Sequence, residues 1–135
     1  MDAKEIFDGF DPSVYEAEAR GRWGETDAFK EASQRVKRYT ADDWQRQQAE
    51  QGAIYAEAAD AMRRGVEPTA PAALELAERH RQSIDRWFYP CSRAMHAGLA
   101  DMYEADERFR ATIDRAAEGL TPLLVAAIRA NAGRV

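Results

Sequence analysis

The chain has 135 residues, room for one hydrophobic core and not two. Hydrophobic residues make up 45% and charged residues 32%, the balance of a water-soluble globular protein, and a net charge of −5 argues against a surface that holds nucleic-acid phosphates. The opening MDAKEIFDGF lacks the basic-then-apolar order of a secretory signal, and no apolar run reaches the roughly 18 residues of a membrane span, so a cytoplasmic protein with no membrane contact is expected.

Helix punctuation recurs along the chain, while period-two runs of β-branched residues are absent, so the expected fold class is all-α. Asp11-Pro12 opens a first helix that Gly24 closes. Thr26 starts a second, whose apolar marks Phe29, Val36 and Tyr39 are widely spaced and leave it dependent on partners for order. Thr40 with Asp43 three residues on makes a capping box for the longest helix, from Ala41 to about Arg64 before Gly65. Trp44, Gln48, Gln51, Tyr55, Ala58 and Met62 share one of its faces, with two amides in an otherwise apolar stripe; a half-exposed edge or a solvated cleft would each accommodate them.

Residues 65–71 have linker composition, and Pro71 falls in the first turn of the next helix. That helix carries two neighbouring stripes, Leu74, Ala77, Ile84 and Phe88 beside Leu76, His80, Ser83 and Trp87, the broad face of a central helix; Pro90 ends it. After Ser92 a helix sets Met95, Leu99, Met102 and Tyr103 on one side, with His96 beside them. Asp106 caps ERFRATIDRAAE, Gly119 closes it, and Thr121-Pro122 opens a last apolar helix ended by Gly133. The sum is six or seven helices in one bundle or globin-like domain.

The chemistry-bearing residues are few. His80, Cys91 and His96 are too few and too irregularly spaced for a metal site, so no metal is expected; a non-covalent haem on an apolar-face histidine is the alternative reading. Cys91 precedes a helix and lies two residues from Arg93, a setting that lowers a thiol pKa, though a lone cysteine more often fills a gap. Gly9, Gly21 and Gly24 make no phosphate loop, and Asp42, Asp43, Asp106 and Glu107 sit where helix capping accounts for them. No catalytic residue and no cofactor are expected. What remains is the aromatic and methionine-rich stretch from Trp87 to Tyr103, which suits a core or the wall of a pocket for a bulky apolar ligand.

At these residues the sequence resembles the TipAS family, the drug-recognition domain of thiopeptide-responsive MerR-type transcription activators. The resemblance runs through FDGFDPSVYEAEARGRWGETDAF, YTADDWQR, HRQSIDRWFYPCSRAMHAGLADMYEADERF and IDRAAEGLTPLLVAAIRANA, nearly the whole chain. It implies one globin-like helical domain over residues 1–135 with a cleft for macrocyclic antibiotics such as thiostrepton, and an N-terminal part, residues 1–39, that is flexible until it folds over the ligand. In a regulator of this type DNA is held by a separate winged helix; standing alone, such a domain sequesters the drug. Set against this resemblance, the expected ligand-binding residues are Trp44, Gln48, His80, Trp87, Tyr89, Met95, His96, Leu99, Met102 and Tyr103. The family's drug-capturing cysteine lies seven residues beyond the one matched by Cys91; here that position is Gly98, so non-covalent binding is expected, with Cys91 a misplaced substitute.

Overall fold

The computed structural model describes residues 27–133, with side chains from Lys30 onward. The helix expected between Asp11 and Gly24 and the start signal at Thr26 lie outside the described residues. Within them run six helices and no strand: α1 (Asp27–Lys37), α2 (Ala41–Arg63), α3 (Pro71–Trp87), α4 (Arg93–Ala105), α5 (Glu107–Asp114) and α6 (Leu120–Ala132). The all-α class expected from punctuation is the one that forms. Among the described residues, no helix is long and apolar enough to cross a membrane.

Helix ends follow local chemistry. The capping box at α2 is complete: Thr40 Oγ1 accepts from the Asp43 N–H at 3.2 Å, and Asp43 Oδ2 accepts from the Thr40 N–H at 2.9 Å. These bonds, with Arg46 alongside, hold the Asp43 carboxyl below its ordinary pKa. At the other end Gly65 takes φ 74°, and the Val66 N–H reaches back to the Ala61 carbonyl at 3.0 Å, satisfying a carbonyl that the helix leaves open. Ser92 and Asp106 cap α4 and α5 as their positions suggest.

Two boundaries differ from the sequence reading. Helix α5 stops at Asp114 instead of running to Glu118, and α6 opens at Leu120, one residue before the Thr121-Pro122 signal. Asp114 is the reason: its Oδ1 accepts from the Thr121 N–H at 2.9 Å and the Thr121 hydroxyl at 2.7 Å, so the last carboxylate of α5 serves as the cap of α6. Gly119, at φ 84°, makes the tight turn between them.

Helix α6 is apolar on nearly every side and runs through the centre. Leu120, Leu124, Val125, Ala127 and Ile128 are buried against Ala58 of α2, Ala73 and Ala77 of α3, Ala100 of α4 and Ile113 of α5. Alanines at these crossings let backbones approach closely, and each buried leucine or isoleucine contributes about 1.5–3 kcal/mol. The opposite end of α3 carries polar and aromatic side chains instead.

Candidate functional site

Helix α3 organises the expected site, because Ala77, His80, Ser83 and Trp87 follow one another along a single face. The structure divides the expected residues among three groups and a surface position.

The first group is aromatic. Tyr39, from the segment after α1, meets Trp44 edge-on at 5.4 Å between ring centroids and Trp87 edge-on at 5.6 Å, while Trp44 lies 6.3 Å from Phe88. Glu50 of α2, absent from the sequence reading, orders this group. Its Oε2 accepts from the Trp87 indole at 2.8 Å and the Ser83 hydroxyl at 2.6 Å, and its Oε1 accepts from Arg86. The open carbonyls at the end of α3 are taken by α1 and the segment after it: Arg35 donates to the Asp85 carbonyl at 2.6 Å, and the Tyr39 hydroxyl to that of Trp87. Gln48, expected at the site, is half-buried on this side of α2.

The second group is a buried pair of imidazoles. His80 Nδ1 and His96 Nε2 lie 2.8 Å apart with rings stacked at 5.1 Å, and the Tyr55 hydroxyl lies 3.2 Å from His80 Nε2. Tyr103 closes over His80 edge-on. Burial pushes His80 down to about 4; His96 is pushed down as well, by burial first and then by the neighbouring His80 and Arg81. Both rings are therefore neutral at pH 7. Burial drives the Tyr55 phenol the other way, up to about 12.

The third group contains Cys91, Leu99 and Met102, all buried, with Tyr89, Tyr103 and Phe109 packed on them. Cys91 sits here as a buried side chain among apolar neighbours. Its thiol is pushed up to about 11 by burial, which outweighs the nearby Arg81 charge. Arg93 turns instead to Glu78, its Nε 3.2 Å from Oε1, and the Cys91 backbone is pinned by Asp85 and Arg81. Glu78 also accepts from Arg81 at 3.0 Å and Asn131 at 2.9 Å, bonds that hold its carboxyl far below the usual range, Arg81 foremost.

Among the described residues Met95 is the exposed large apolar one, on the outer side of α4. Gly98 lies one helical turn further on, exposed, with nothing within 4 Å of where a Cβ would stand. Two clefts flank the α2–α3 pair, one of about 270 Å³ bordered by Glu50, Ile54, Arg79 and Arg86 and one of about 500 Å³ bordered by Glu57, Asp60, Leu76 and Arg79; neither is lined by the ten expected residues.

The haem alternative does not fit these histidines. Both nitrogens of His80 are engaged, and the one unpartnered nitrogen of the pair, His96 Nδ1, is buried in the core. No three potential metal-ligating side chains cluster among the described residues.

Comparison with known proteins places this geometry. The profile of the TipAS antibiotic-recognition domain matches residues 15–131. The chain belongs to the TipAS family. It is 42% identical over 130 residues to the HTH-type transcriptional activator TipA of Streptomyces coelicolor, covering 96% of this chain and 51% of that protein. It is 34% identical over 115 residues to the HTH-type transcriptional activator mta of Bacillus subtilis, covering 85% of this chain and 44% of that one. The chain thus spans about half the length of these curated relatives. A solved structure of TipAS in complex with nosiheptide, from a thiopeptide antibiotic multidrug resistance system of Streptomyces lividans, matches with a TM-score of 0.89 at 42% identity, covering 96% of this chain and 91% of that one. The family resemblance read from the four sequence blocks is correct, and so is the all-α fold it implied.

Proposed function

We propose that this TipAS domain binds a thiopeptide antibiotic of the nosiheptide kind, reversibly and without catalysing a reaction. The observation that carries the reading is the match, along 96% of the chain, to a TipAS structure that holds nosiheptide. In this reading Gln48, Trp87, Tyr89 and Met95, which keep exposed surface, make first contact with the macrocycle. Trp44, His80, His96, Leu99, Met102 and Tyr103 form the packed wall behind them. Aromatic faces and thioethers offer large, adaptable contact area to a rigid apolar ligand, and residues 1–39 fold over it.

Reversibility follows from two features. Gly98 stands where the family's reactive cysteine belongs, and Cys91 is buried with its thiol pushed up to about 11, far from a thiolate at pH 7. Within a longer regulator such binding shifts the population of DNA-distorting states; on its own the domain sequesters the drug in the cytoplasm. The curated relatives named above are transcription activators, which supports a binding role over an enzymatic one.

Titration with nosiheptide, followed by tryptophan emission, tests the reading. A saturable change at micromolar drug that dialysis reverses is expected, with the protein mass unchanged after denaturation; flat emission would overturn it. The Gly98→Cys variant has open space for its side chain and is expected to gain a mass adduct.

A further inference from the structure

A line of polar side chains crosses the helical core where the apolar packing of α6 gives out. Gln47 of α2, 6% exposed, donates from Nε2 to Gln51 Oε1 at 2.9 Å, one turn before Tyr55. Tyr55 meets His80 Nε2 of α3 at 3.2 Å, and His80 Nδ1 meets His96 Nε2 of α4 at 2.8 Å. The line ends at His96 Nδ1, which is fully buried and has no hydrogen-bond partner among the described residues.

A neutral imidazole carries one N–H. The line is therefore satisfied in either of two directions: the phenol O–H donates to His80 Nε2 and His80 Nδ1–H to His96 Nε2, or His96 Nε2–H donates to His80 Nδ1 and His80 Nε2–H to the phenol oxygen. In both, two neutral rings make both bonds. A further proton turns one buried ring into a cation.

The surroundings offer that extra charge no compensation. From α2 the pair faces Tyr55; from α3, Arg81, a cation, and Glu78, whose charge is already committed to Arg81, to Arg93 of α4 and to Asn131 of α6. From α4 it faces Tyr103, edge-on at 6.1 Å.

We infer that the line from Tyr55 through His80 to His96 is an acid-released pin that ties α2 through α3 to α4, because a proton added to either buried ring meets no uncommitted counter-charge. Two of its members, His80 and His96, also stand in the proposed binding wall, yet the device follows from their hydrogen bonds whatever the domain binds. Burial lowers both imidazole pKa values from the ordinary 6.5. The pin is thus whole above about pH 6.5, and its contribution is lost as pH falls toward the native pKa values, because the unfolded chain takes up protons that the folded chain refuses.

The chain has two histidines, so imidazole nitrogen NMR on the full chain reads the pair without ambiguity. At pH 7 both rings should be neutral, should show nitrogen–nitrogen coupling across the His80–His96 bond, and should not titrate near 6.5. In denaturant melts the unfolding constant should rise about 100-fold more per pH unit, between about pH 5.5 and 4.5, than in a Y55F/H80F/H96F variant, which corresponds to two protons taken up on unfolding. Rings that titrate near 6.5, a missing coupling at pH 7, or equal proton uptake in the two proteins would overturn the pin. The NMR titration needs no variant, so a triple variant that fails to fold leaves the inference open to refutation.

Discussion

The two ends of α3 stabilise the molecule by different means. Its first half presents Ala73 and Ala77 to α6, an apolar contact in which every atom is matched by shape alone. Its second half presents His80, Ser83 and Trp87 to α2 and α4, where each buried polar atom depends on one named partner. Apolar packing yields gradually to substitution, whereas a polar seam fails bond by bond, because losing one partner leaves the other buried and unsatisfied. The expected drug-contact residues belong almost wholly to the second half and the segments around it. A binding surface assembled there can be reorganised without disturbing the α6 core.

Substitutions at the two ends should therefore separate in size and in kind. Ile128→Ala, at a position with no exposed surface, should cost about 2–5 kcal/mol in denaturant unfolding, with the aromatic group still assembled at low denaturant. Glu50→Ala should cost less, about 1–3 kcal/mol, since it strips Ser83 and the Trp87 indole of their acceptor. It should also shift tryptophan emission to the red, which Ile128→Ala should not do, and equal spectral responses would dissolve the distinction between the ends. Arg86→Ala should be the mildest, under about 1 kcal/mol, because Arg86 is exposed and Glu50 keeps its bonds to Ser83 and Trp87.

Much of this fold could be read from the chain. Thr40-Asp43, Gly65, Pro71, Ser92 and Asp106 act through neighbours a few residues away, and such local bonds leave their mark in sequence. The site was harder to see. Of the expected stripe on α2, Trp44 and Ala58 are buried and Tyr55 and Met62 pack against the core, but Gln47, Ile54 and Ala61, one position before Gln48, Tyr55 and Met62, turn further inward. Both stripes satisfy a helical repeat, and the choice between them is made by α3 and α6, not by α2 itself. Cys91 shows the same limit: its local setting of helix start and Arg93 would lower a thiol pKa, while the side chains that bury it come from Ile84, Tyr89, Leu99 and Met102. Glu50 and Glu78 were missed because their partners lie up to 37 and 53 residues away. No periodic signal reports a bond of that span.

Reversible capture of a thiopeptide by the second half of α3 and the residues around it is the central claim. Amide hydrogen exchange of the whole chain, with and without nosiheptide, tests it most directly. The account requires drug-dependent slowing in the last turns of α3, in the first turns of α4 and in the residues before Thr40, with little change in α6. Slowing confined to α6, or identical exchange with and without the drug at micromolar concentration, would contradict it.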